Sequence, residues 1–120
     1  MICYLDDDLD IDRLIQLATA RAHQLISPRA VGNTGIHDGL HFLYAASQAI
    51  PIMSRNIDDF KALHKFGLGI GGHHSGLILI HDEADRRKNM RPDQIVRALT
   101  NLEAANLSLL DQLISLNHYR

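Results

Sequence analysis

The 120-residue chain has a single cysteine, Cys3, so no internal disulfide can staple it. Cys3 lies inside the first apolar run, where a small buried hydrophobe is its expected role. No apolar stretch approaches the roughly 20 residues that span a bilayer. The N-terminus lacks the basic start and apolar core of a signal peptide. Together these absences predict a cytoplasmic protein with no membrane partner. An excess of either charge is also missing: 12 Lys and Arg face 14 Asp and Glu, for a net charge of −2. That argues against broad, non-specific attraction to nucleic acid, although Arg86, Arg87, Lys88 and Arg91 form a local basic group.

Several chemical signatures are absent too. "GLGIGG" (67–72) precedes an expected strand instead of opening a helix, so it is no dinucleotide site. "GNTG" (32–35) does not follow a strand in a phosphate-binding pattern, and no Ser–His–Asp arrangement stands out. The histidines are scattered. His37 and His41 are four apart, but His37 falls before the helix, and His73 and His74 point to opposite faces, which disfavours a zinc site. His74 is expected to join loop to sheet by hydrogen bonds. No repeat, low-complexity tract or linker divides the chain, so residues 1–120 read as a single domain. Hydrophobic residues make up 46%, enough to fill its core without a structural metal.

What the chain does have is "ICYLDDDLD" near its start. The apolar run Ile2–Leu5 suits a strand buried on both faces, and it meets Asp6, Asp7 and Asp8 at its end. A helix is expected from Leu9 to about Ala22, with Asp8 as N-cap and Asp10 and Asp12 as solvated first-turn acids. A second strand follows at His23–Ile26. After the loop "VGNTGIHDG" comes a helix from Asp38 to about Ala49, with Leu40, Leu43, Tyr44 and Ala46 on its apolar face. A third strand spans Ile50–Ser54. Asn56 is the expected N-cap of a third helix that Gly67–Gly72 terminates, with Asp58 serving its dipole. "GLILI" (76–80) is a strand, 81–91 a charged loop, and Pro92 to about Ala105 an amphipathic helix. Leu107–Leu116 reads as a further helix, with an edge strand as the alternative. Strands alternating with helices predict an α/β fold with a mostly parallel sheet.

In such sheets, sites form beyond the carboxyl ends of the strands. Asp6, Asp7 and Asp8 close strand one, Asp58 and Asp59 lie just past strand three, and Asp38 opens the helix between. Crowded carboxylates either raise each other's pKa or share a cation. Hard oxygen donors without cysteine suit Mg²⁺ or Mn²⁺, and such an ion equips a site to hydrolyse a phosphodiester.

"CYLDDDL", "IHDGLHFLYAASQAIPIMSRNIDDFKALH", "HHSGLILI" and the ending "LISLNHYR" together resemble the small PIN-like proteins of prokaryotes, which are similar to the toxin nucleases of toxin–antitoxin pairs. The resemblance spans about residues 1–81. It implies a PIN-like three-layer sandwich with a mostly parallel sheet of four to five strands, and Mg²⁺- or Mn²⁺-dependent endoribonuclease activity. By the same resemblance Asp6, Asp38 and Asp59 are the catalytic metal ligands, with Asp7 and Asp8 as lesser candidates. Ser54 and Asn56 would orient water or phosphate. Arg55 and the Arg86–Arg91 group would meet the RNA backbone. The middle acid is the short Asp38 where the family usually has Glu, and Asn56 stands where an acid is frequent. The expected partners are RNA, an antitoxin protein and a second copy of the chain. The alternative reading is a catalytically weak or inactive binding module that uses 92–116 as its contact face.

Overall fold

A computed structural model describes all residues 1–120. Five strands form one sheet: β1 (Ile2–Leu5), β2 (Gln24–Ile26), β3 (Ile52–Ser54), β4 (Leu77–Leu79) and β5 (Leu113–Ser115). Their order is β2-β1-β3-β4-β5, with every neighbouring pair parallel. Four α-helices connect them: α1 (Asp12–Ala20), α2 (Asp38–Ser47), α3 (Ile57–Gly69) and α4 (Pro92–Ala104). The architecture is α/β, consistent with a three-layer sandwich. No helix is long and apolar enough to cross a membrane.

Alternate residues of each strand point to opposite faces, and the core divides accordingly. One face joins Cys3, Leu5, Met53 and Ile78 to Leu14 and Ala18 of α1 and Ile95, Leu99 and Leu102 of α4, in a cluster of 16 buried residues. The other joins Tyr4, Ile52, Leu77 and Leu79 to Ala45 of α2 and Phe60 of α3, in a cluster of 6.

The fold departs from the expected layout in several places. Residues 107–116 are not a helix. They form a turn with left-handed backbone at Asp111 (φ 58°), followed by the edge strand β5. Asp111 organises that turn by accepting the His74 N–H (2.9 Å) and pairing with the His73 ring (2.8 Å). The apolar face of α4 is buried in the core, whereas Leu107 and Leu110 of the following turn are exposed. Asp8 caps nothing. A single 3₁₀ turn spans Asp7–Leu9, and α1 starts at Asp12 with Ile11 in the cap position. Asp10 and Asp12 are not merely solvated first-turn acids, because both grip Arg29, at 2.9 and 2.5 Å. On α2 the buried residues are His41 and Ala45, while Leu40 and Leu43 face outward. The Gly67–Gly72 stretch does end α3: the helix stops at Gly69 and Gly71 (φ 79°) turns left-handed, with Gly71 and Gly72 donating N–H groups back to the Leu68 and Gly67 carbonyls.

Candidate functional site

β1 and β3 lie side by side with Leu5 opposite Met53. The next positions, Asp6 and Ser54, therefore leave the sheet as neighbours at its carboxyl rim. The strand order reverses direction between β1 and β3, the place where open α/β sheets hold ligands. Asp6 is 3% exposed. The Ser54 hydroxyl donates to Asp6 Oδ2 at 2.5 Å, whereas Asp6 Oδ1 is buried with no partner. Burial pushes the Asp6 carboxyl up to about 6. The nearby Asp8 and Asp38 charges add to the rise, and Ser54 opposes it.

Ser54 also starts a chain of contacts. Its Oγ accepts the Asn56 N–H at 2.9 Å, a local serine turn that leads from β3 into α3. Asn56 occupies the cap position of α3 but makes no side-chain cap. Its amide nitrogen donates instead to Asp38 Oδ2 (2.6 Å) and Asp59 Oδ2 (2.9 Å). One nitrogen thus holds the two carboxylates together. Asp38 arrives from the first turn of α2, whose cap is His37, with Nδ1 accepting the Gly39 N–H at 3.0 Å. Asp38, Asp59, His37, Ala62, Leu63 and Phe66 line a cleft of about 360 Å³. Asp6 is not on its wall and connects to it through Ser54 and Asn56.

The three consecutive aspartates take three directions. Asp6 turns inward. Asp8 stays exposed. Asp7 turns back, accepting the Gly35 N–H (3.1 Å) and pairing with His41 Nε2 (2.9 Å). His41 Nδ1 meets the Tyr4 hydroxyl at 2.7 Å, and Asn33 donates to that hydroxyl at 3.3 Å. His41 and Tyr4 are both fully buried. The ionised Asp7 carboxylate can only accept, so the His41 Nε2–H donates to it, and in the neutral ring Nδ1 then accepts from the Tyr4 hydroxyl. This Asp7–His41–Tyr4–Asn33 chain pins the loop before Asp38. Sequence reasoning missed it, since its four members are scattered along the chain. Its only local signal was His41, four residues before Ala45 on the same helix face.

Arg55 turns away from the acids. Its Nε lies 3.3 Å from Asp82 without hydrogen-bond geometry, and its Nη2 donates to the Met90 carbonyl at 3.4 Å. Arg87 and Arg91 pair with their own neighbours, Asp85 and Asp93. His41 is no zinc ligand, because both its ring nitrogens are engaged. His74 joins loop to sheet, with Nδ1 accepting the Gly76 N–H at 3.0 Å and Nε2 meeting His64 at 2.8 Å. Desolvation, then His64, keeps the His74 pKa low.

No three His, Cys, Asp or Glu side chains stand close enough to form a ready metal cage. Mg²⁺ asks for less, since one or two carboxylates and several waters suffice. Asp38 and Asp59 supply such a pair, and the unpartnered Asp6 oxygen is a buried acceptor that lacks a proton donor or cation. Comparison of the chain with family models, curated proteins and solved structures returns no match.

Proposed function

We propose that the chain is a divalent-metal-dependent endoribonuclease of PIN-like type, acting in the cytoplasm as the toxin-like member of a toxin–antitoxin pair. The observation that carries this reading is the buried, unpartnered Oδ1 of Asp6, linked through Ser54 and Asn56 to two carboxylates on an open cleft. An uncompensated buried carboxylate is costly, and a cation at this rim relieves it. Asp38 and Asp59 would hold Mg²⁺ or Mn²⁺, with Asp6 as acceptor of a bound water. Such an ion lowers the pKa of bound water and stabilises charge on a phosphate oxygen. Ser54 fixes the Asp6 rotamer. Asn56 keeps the other two acids from separating and so preserves their negative field. The test is cleavage of a mixed RNA by the wild type and by Asp6→Asn with Mn²⁺. The wild type should cleave, and Asp6→Asn should lose at least about a hundredfold. No cleavage by the wild type, or equal cleavage by both, overturns the reading.

One observation favours a second reading, a protein-binding module. Leu40, Leu43, Phe66 and Ile70 of the α2–α3 layer are 53%, 62%, 67% and 69% exposed. Between these helices, Phe42, Leu63, Phe66 and Ile70 line an apolar groove of about 290 Å³. Contiguous exposed apolar surface marks a contact with a partner. An antitoxin or a second copy of the chain would then cover α2–α3. Light scattering of the purified chain, with and without Leu43→Lys, separates these partners. A dimer dissociated by Leu43→Lys identifies the second copy, and a monomer in both samples leaves the surface to a different protein.

A further inference from the structure

A second polar cleft lies on the same rim. It holds about 410 Å³ at the carboxyl ends of β4 and β5, with Lys61, His81, Glu83, Ser115, Asn117 and His118 on its wall. This cleft is firmly built. Asn117 accepts the His81 N–H (2.8 Å) and donates to the His81 carbonyl (2.9 Å), while Ser115 Oγ meets His81 Nδ1 at 3.2 Å. The imidazole is thereby held with Nε2 unengaged. None of the ion pairs of the fold uses Lys61. The wall thus carries a cationic amine and two imidazoles against a single acid, Glu83.

The placement of Lys61 relates this cleft to the acidic one. Asp59 and Lys61 are two positions apart on α3. At 3.6 residues per turn they emerge about 200° apart, on opposite sides of the helix. The N-terminal end of α3 therefore stands as a ridge between a cleft of carboxylates and a cleft of amine and imidazole. The ridge is roughly 10 Å wide, so a single strand crossing it would meet one cleft on each side.

We infer that the Lys61–His81–His118 cleft is a phosphate subsite for single-stranded RNA, holding the backbone across the α3 ridge from the phosphodiester presented to Asp38 and Asp59. This inference rests on the ribonuclease reading for its choice of ligand. Arg55, Arg87 and Arg91, by contrast, are paired with carboxylates.

The test is fluorescence anisotropy of labelled oligouridylates in EDTA, so that binding is read without metal or cleavage. The wild type should bind a hexamer better than a dimer. Lys61→Ala should weaken the hexamer about fivefold and flatten the slope of log affinity against log salt by about 0.7. Lys61→Arg should restore binding, and Glu83→Gln should strengthen it. Equal hexamer affinity and salt slope for Lys61→Ala and wild type overturns the subsite, as does a wild type that does not bind the hexamer. If binding behaves as expected but Mn²⁺ yields no cleavage, the ribonuclease reading fails and the subsite stands.

Discussion

Asp6 is governed by desolvation. Its folded pKa of about 6 lies above the roughly 3.9 of an unfolded aspartate. Between those values the native state binds more protons than the unfolded state, so unfolding free energy falls as pH rises. The stabilisation is complete below pH ~4 and gone above pH ~6, and one titrating group limits its size to about 3 kcal/mol. In EDTA, denaturant titrations of the wild type from pH 4 to 7 should show this decline, and Asp6→Asn should flatten it. The same slope in both proteins would mean that Asp6 does not titrate as described. A second residue-scale prediction concerns His41. His41→Ala leaves Asp7 without its ring donor and the buried Tyr4 hydroxyl with Asn33 alone, and it opens a cavity beside Ala45. The expected loss is about 2–4 kcal/mol by urea denaturation. At this scale the strand-end carboxylates were legible because charge beside a buried run is conspicuous. Asp6, Asp38, Asp59, Ser54 and Asn56 do form one connected chain, while Arg55 points to Asp82 and the Met90 carbonyl. A basic side chain carries no mark of direction in the sequence.

Among elements, 107–116 is not the expected helix, and the alternative edge strand holds for Leu113–Ser115. Leu107, Leu109, Leu110, Leu113, Ile114 and Leu116 mimic helical spacing only if the break at Asp111 is overlooked. A three-residue parallel edge strand leaves almost no periodic signal, and the left-handed residues Asn106 and Asp111 (φ 53° and 58°) are neither Gly nor Pro. The register of β5 depends instead on a close approach at Gly76. Its φ is 129°, and a Cβ there would sit 2.9 Å from Leu109 Cβ and 3.3 Å from Pro51 Cβ. Gly76→Ala must therefore displace the turn that delivers β5, at an expected cost of at least about 2 kcal/mol. Gly35 has a similar left-handed backbone (φ 77°) but open space around it, so Gly35→Ala should cost about 1 kcal/mol. Thermal unfolding of the two variants should reproduce that order. The reverse order would mean that conformational strain, and not the contact with Leu109, limits position 76.

At the scale of the molecule, the alternation of strands and helices made the parallel sheet legible, because parallel neighbours need crossovers. The unequal division of its two faces was not legible. The α1–α4 side buries 16 residues and the α2–α3 side only 6, although "LHFLYAA" and "LHKFGLGI" look equally apolar on paper. Leu43, Phe66 and Ile70 are hydrophobic by type but exposed by position, and periodicity cannot say which of two apolar stripes meets the sheet. That difference sets the last prediction. Phe60 is fully buried on α3 and Phe66 is 67% exposed on the same helix. Phe60→Ala should cost about 3–5 kcal/mol. Phe66→Lys should change the unfolding free energy of the dilute chain by no more than about 0.5 kcal/mol. Both are read by urea denaturation at two protein concentrations. If the wild type gains stability with concentration and Phe66→Lys does not, the apolar layer is closed by a second copy, since association stabilises by mass action. A large loss for Phe66→Lys at every concentration would instead place Phe66 in the core and remove the basis for any partner on α2–α3.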